Sequence, residues 1–109
     1  MLQSIHIQNY ALIEALDINF HPGFSVITGE TGAGKSIILG AIGLLLGQRA
    51  DIKAIKQGAN KCVVEASFHI GSYNLEPFFE NHDIEYDAEE CILRRELYIS
   101  GKSRAFIND

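Results

Sequence analysis

The 109-residue sequence predicts an α/β fold, in which a mixed sheet with antiparallel hairpins surrounds one buried helix. Two kinds of pattern predict it: apolar residues that alternate with period 2, and one apolar run of helical length. Ile5 and Ile7 alternate with polar neighbours, and Leu16, Ile18 and Phe20 do so again after a break at Asn9-Tyr10-Ala11. That is the signature of two half-buried strands joined as a hairpin. His21-Pro22-Gly23 then reads as a turn, and Phe24-Ser25-Val26-Ile27-Thr28 as a short strand buried on both faces.

From Lys35 to Leu46 almost every residue is apolar, with Ile37, Ile38, Leu39, Ala41, Ile42, Leu44, Leu45 and Leu46 leaving little polar face. The expectation is a helix lying inside the fold. Gly40 and Gly43 weaken it locally, which another backbone passing close by would compensate, and Gly47 is placed to end it in the left-handed conformation. Residues 48–60 have no period and read as a surface loop. Cys62, Val64, Ala66, Phe68 and Ile70 share one face of a strand. Leu75 to Glu80 suggests a short helix with Pro77 in its first turn. Leu93, Leu97 and Ile99 alternate once more, and Ser100-Gly101-Lys102-Ser103 forms a turn into a last strand at 104–107.

Nothing marks a domain boundary, a repeat or a linker, so residues 1–109 read as one domain or a piece of one. Nine Lys and Arg against fourteen Asp and Glu give a net charge of −5, which excludes an overall basic field; any contact with nucleic acid must be local. Cys62 and Cys91 sit in apolar runs without metal-ligand spacing and read as reduced core thiols. The N-terminus lacks the features of a signal peptide, and the apolar run at 37–47 is too short to span a bilayer, so a cytoplasmic protein with no membrane partner is expected.

Between the predicted buried strand and the predicted helix stands Gly29-Glu30-Thr31-Gly32-Ala33-Gly34-Lys35-Ser36. This is the G-x-x-x-x-G-K-[ST] pattern, expected by chance in fewer than about one in a hundred chains of this length. The strand, glycine loop and helix occur in the order the chemistry needs. Glycines let successive backbone N–H groups turn inward as a cradle for phosphate oxygens, and the helix N-terminus favours the negative charge. Lys35 is then expected at the β- and γ-phosphates, and the Ser36 hydroxyl on Mg²⁺. Residues 29–36 are thus a site for ATP with Mg²⁺. The other reading, a glycine-rich turn with a solvated lysine, leaves the surrounding order of elements unexplained.

A guanine-specific enzyme is disfavoured, because D-x-x-G is absent and Asn60-Lys61-Cys62-Val63 lacks the final acid of N-K-x-D. No acidic residue after Ser36 stands at the end of an apolar strand, where a complete P-loop enzyme holds Mg²⁺. Glu65 lies within a strand and reads as solvent-facing rather than catalytic.

The segments Ile7-Gln8-Asn9-Tyr10-Ala11-Leu12-Ile13, Phe20-His21-Pro22-Gly23-Phe24 and Thr28 to Ile37 resemble the start of the RecN family, the bacterial DNA-repair branch of the SMC-like ATPases. The P-loop sequence followed by Leu44-Leu45-Leu46-Gly47-Gln48-Arg49-Ala50-Asp51 is more specific than the bare motif. Arg94-Arg95-Glu96 and Gly101 to Asn108 resemble a later segment of the same family, so the resemblance runs through essentially the whole chain. It implies a P-loop NTPase fold of the ABC and SMC head type, of which this chain is the N-terminal lobe. The Q-loop, coiled coil, signature motif, Walker B acids and switch histidine are expected beyond Asp109. The implied partners are the C-terminal lobe of the same head, a second head in an ATP-dependent dimer, and DNA.

The resemblance also brings Asn9 near the nucleotide and Lys56 near the nucleotide or DNA. A turn-forming asparagine and a plain exposed lysine are the alternatives. Lys56 and Lys102 stand where relatives often carry Arg, and a lysine cannot repeat a bidentate contact. Arg94, Arg95, Lys102 and Arg104 offer a local basic edge for DNA, against the favoured reading of solvated strand charges. His69 reads as a solvent-facing histidine. Three functions remain in view: an ATP-driven switch holding DNA, a small P-loop kinase, and a nucleotide-binding module without turnover. Catalysis is expected from the parent protein and not from this segment alone.

Overall fold

The computed structural model describes residues 2–20, 32–49 and 51–108. The predicted turn at 21–23, the buried strand at 24–28 and motif residues 29–31 lie outside the described residues. Strands β1 (Leu2–Tyr10) and β2 (Ile13–Asn19) form the expected hairpin, with Ile5 opposite Ile18 and Ile7 opposite Leu16. Helix α1 (Gly32–Leu45) follows, then a 3-10 turn at Ile52–Ala54, strand β3 (Lys61–Phe68), a second 3-10 turn at Gly71–Tyr73, helix α2 (Glu76–Asn81) and the hairpin β4 (Cys91–Tyr98) and β5 (Ser103–Ile107). The five strands make one sheet in the order β2-β1-β3-β4-β5. Every pairing in it is antiparallel, so the expected mixed character rests on residues outside those described.

Alternation sorts the sheet into two faces. On one, Ile5, Ile7, Cys62, Val64, Ala66 and Leu97 are almost wholly buried and meet Ala41 and Leu44 of α1. Register places His6, Glu65, Arg94 and Phe106 in one row across the other, with Asp17 paired to His6 at the β2 end. Both cysteines are buried and free, as read from the sequence. Burial pushes the Cys62 thiol up to about 11. The Tyr10 phenol is raised first by burial and then by the neighbouring Cys62.

Helix α1 packs on one face of the sheet, to which Ile38, Ala41 and Leu44 turn. Among the described residues nothing covers its other side, where Leu39 is 50% exposed, and Leu46, just past the helix end, is 71% exposed. Its glycines depart from expectation. A Cβ on Gly40 would collide with the Tyr10 hydroxyl, and one on Gly43 with the Gln48 side-chain amide, so the close neighbours are side chains and not backbone. Gly47 takes the expected positive φ of 93°. Its N–H donates to Leu44 O at 3.2 Å and that of Gln48 to Gly43 O at 3.1 Å, the paired bonds of a Schellman end.

The segment predicted as a featureless surface loop contributes to the core. Ile55 is 7% exposed and bridges to Tyr10. Ile99, expected to continue the β4 alternation, instead lies past the strand end and is exposed, because the chain there turns into the Gly101 hairpin loop. Helix α2 carries Pro77 near its start, and Phe79 anchors it in a second cluster with Ile70 and Cys91.

Candidate functional site

Helix α1 begins at Gly32, three residues before the position expected from Lys35. The second half of the glycine motif, Gly32 to Ser36, is therefore wound into its first turns, where the backbone N–H groups lack carbonyl partners within the helix. No acidic residue stands in that first turn, so no side chain of the helix neutralises the positive end of the dipole. Ser36 is exposed on the helix surface. Gly29, Glu30 and Thr31 lie outside the described residues.

The structure brings Asn9 and Lys56 together. Asn9 sits in β1 with a φ of 55°, and its carbonyl accepts a hydrogen bond from the Lys56 N–H at 2.8 Å. Ala11 N–H to Ala54 O at 2.7 Å closes a second contact between the same two segments. The left-handed conformation at Asn9 is the one that Asn tolerates best among non-glycine residues, which satisfies the turn-forming reading of this position. Tyr10, the next residue, reaches α1 at Gly40, tying this corner to the helix that begins in the motif.

The four basic residues read as one edge are divided by the sheet. Arg94 and Arg95 are successive in β4 and point to opposite faces. Arg94 stacks over Phe106 at 4.3 Å and lies 3.8 Å from Glu65 and 3.6 Å from Glu96. Arg104 sits 5.9 Å from the Tyr98 ring, as does Lys61. Arg95 is instead on the helix-bearing face. Its Nη1 donates to Leu44 O at 2.9 Å and to Gln48 O at 2.5 Å, and its Nε to Ser103 Oγ at 3.0 Å. Arg95 therefore does not share a face with Arg94 and Arg104. The period-2 rule already separated the two arginines; what it could not supply was the helix end that Arg95 meets.

Glu65 faces away from α1, beside His6 and Arg94, consistent with a non-catalytic strand residue. His69 lies 3.6 Å from Glu89 at the surface. Among the described residues no group of three His, Cys, Asp or Glu side chains is arranged to hold a metal ion.

A family model described as an AAA domain matches residues 4–107. The chain is 42% identical over 109 residues to the DNA repair protein RecN of Vibrio cholerae serotype O1, covering 99% of this chain and 20% of that protein. It is 38% identical to the DNA repair protein RecN of Bacillus subtilis, covering 99% of this chain and 19% of that protein. The chain thus spans about one fifth of the length of the curated relatives it matches, at their N-terminal end. Among solved structures, one from a study of ATP-driven dimerisation and DNA-stimulated activation of SMC ATPases superposes with a TM-score of 0.72 at 25% identity, covering 98% of this chain and 69% of the other. The SMC head domain from Thermotoga maritima gives 0.70 at 23% identity, covering 98% and 36%. The fold is that of the P-loop NTPase heads of this group.

Proposed function

The chain belongs to the AAA domain family, and from that premise we propose that it is the ATP-binding N-terminal lobe of a RecN-type, SMC-like ATPase head acting in DNA double-strand-break repair and recombination. The observation that carries the reading is the run of Gly29-Glu30-Thr31-Gly32-Ala33-Gly34-Lys35-Ser36 into the N-terminus of α1. The free N–H groups and dipole of that helix end favour a polyphosphate, and Lys35 adds a full positive charge. Residues 29–36 bind the triphosphate. Asn9 and Lys56, joined by their backbone bond, form the neighbouring wall.

Ser36 is exposed on α1, so its hydroxyl is open to a Mg²⁺ ion that takes the rest of its shell from phosphate oxygens and water. Bound Mg²⁺ would offset the phosphate charge. This chain's own part is to hold the phosphates at the α1 amides and at Lys35. The carboxylate and water-orienting groups of a hydrolytic site then come from a C-terminal lobe that docks. The exposed side of α1, with Leu39 and with Leu46 just past its end, is the surface such a lobe would cover. A second head and DNA are partners of the assembled protein. Among the described residues no helix is long and apolar enough to cross a membrane, and the protein works in the cytoplasm on this reading.

The test is calorimetry with ATP and Mg²⁺ on this chain and on Lys35→Ala. Binding that disappears in the variant supports the site. Equal binding by both proteins removes it.

A further inference from the structure

We propose that Arg95 is a positioning residue for triphosphate binding, setting the tilt of helix α1 from the end opposite the phosphates; this rests on the reading of residues 29–36 as a phosphate site. Arg95 lies on the helix-bearing face of β4, between buried Val64 of β3 and exposed Ala105 of β5. The guanidinium stays partly open to solvent, its bonds to Ser103 Oγ and Gln48 O exposed and that to Leu44 O half-buried. Its three hydrogen bonds, to Leu44 O, Gln48 O and Ser103 Oγ, tie together the helix end, the chain leaving it and strand β5. End-capping alone does not call for them. Gly43 O and Leu44 O already accept bonds from Gln48 and Gly47, so the arginine makes a second bond to a carbonyl that was not orphaned.

What Arg95 adds is a fixed position for the helix end relative to the sheet. Helix α1 has no basic residue in its last turn, so the cation at its negative end comes from β4. Midway along, Gly40 lies against the Tyr10 hydroxyl and Ala41 is completely buried; with this contact as the pivot, the two ends of the helix move in opposite directions. At 1.5 Å per residue, Leu44 lies about 6 Å beyond Gly40 and Gly32 about 12 Å before it. A shift of about 1 Å at the Arg95 end therefore moves the N-terminal amides by about 2 Å. Hydrogen bonds to phosphate oxygens weaken steeply over such a distance. Gln48 reinforces the joint, because its side chain folds back into the space left by the missing Cβ of Gly43.

The decisive experiment measures binding of inorganic tripolyphosphate, which probes the helix N-terminus without a base, and amide exchange of the same proteins. Arg95→Gln and Arg94→Gln remove the same charge from adjacent residues on opposite faces. Arg95→Gln is expected to weaken tripolyphosphate by about tenfold and to speed exchange in the first turn of α1. Arg95→Lys keeps the charge but cannot bridge both carbonyls and Ser103, and is expected to weaken binding nearly as much. Arg94→Gln should stay within about twofold of the unaltered chain. Phe79→Leu loosens the second cluster, away from α1, and should lower Tm without changing affinity. If Arg95→Gln does not fold, Ser103→Ala decides: removing one oriented hydroxyl should weaken binding about threefold and raise α1 exchange. Arg95 variants that bind like Arg94→Gln, in a chain whose binding depends on Lys35, overturn the role of Arg95 alone. Binding that is absent, or unaffected by Lys35→Ala, overturns the phosphate site and the Arg95 role together.

Discussion

The carbonyl of Asn9 accepts a hydrogen bond from the N–H of Lys56 at 2.8 Å, joining two residues that lie 47 positions apart on either side of the glycine motif. The bond is between backbones, so each side chain can be altered without removing it. Asn9 holds a φ of 55°, which glycine adopts freely and a β-branched residue resists.

Asn9→Gly is therefore expected to keep the native stability to within about 1 kcal/mol, whereas Asn9→Val should lose about 1–3 kcal/mol. Urea denaturation checks both. If Asn9 also touches the nucleotide, Asn9→Gly lowers ATP affinity while its stability stays unchanged; unchanged affinity leaves the residue a conformational role only.

The two inward glycines of α1 should respond differently to alanine. At Gly40 the added methyl meets the end of the Tyr10 ring, which the surrounding packing restrains, and a cost of about 1–2 kcal/mol is expected. Removing the hydroxyl with Tyr10→Phe should make Gly40→Ala neutral or favourable, since alanine is the better helix former by about 1 kcal/mol. At Gly43 the neighbour is the flexible Gln48 side chain, and Gly43→Ala should be close to neutral. A double-mutant cycle in thermal unfolding measures the Tyr10–Gly40 coupling; no coupling would refute the contact.

Stability should decline in alkali. The Cys62 thiol is held at about 11 by burial, above its ordinary value of 9.0, so the folded chain keeps a proton that the unfolded chain releases. The contribution is complete below pH 9 and is lost as pH rises from 9 to 11, by on the order of 2–3 kcal/mol. Tyr10 and Cys91 are also raised, each chiefly by burial, and act in the same direction. Urea midpoints across this range should fall less steeply for Cys62→Ala. An equal slope would show that Cys62 does not titrate between the two states.

The chain alone should bind ATP weakly and release no phosphate. On the proposed reading residues 29–36 position a triphosphate, but orienting the attacking water and stabilising the developing charge require groups from other directions, each worth orders of magnitude in rate. Phosphate release by the chain, by a C-terminal lobe of a RecN relative, and by their equimolar mixture is the measurement. Turnover is expected in the mixture only and should vanish with Lys35→Ala. Sustained, Lys35-dependent turnover by the chain alone would favour the small-kinase or small-hydrolase alternative.

The sequence by itself determined the local elements and the chemistry of the motif. Period-2 alternation at Ile5, Ile7, Leu16 and Ile18 pointed to a hairpin, Gly47 marked the helix end through its tolerance of positive φ, and the spacing of glycines before Lys35 and Ser36 pointed to a phosphate cradle. These are properties of neighbours in the chain, which short-range sterics and hydrogen bonding decide. The tertiary structure alone decided what each face meets. It turned Ile38, Ala41 and Leu44 of α1 to the sheet and Leu39 away from it, drew Ile55 from an apparent loop into the core, and put Asn9 beside Lys56. It also carried Arg95 to the end of α1 while Arg94 stayed on the polar face. Alternation tells which side of a strand a residue takes, but the partner waiting there comes from a distant segment, brought in by burial of apolar surface that no local pattern records.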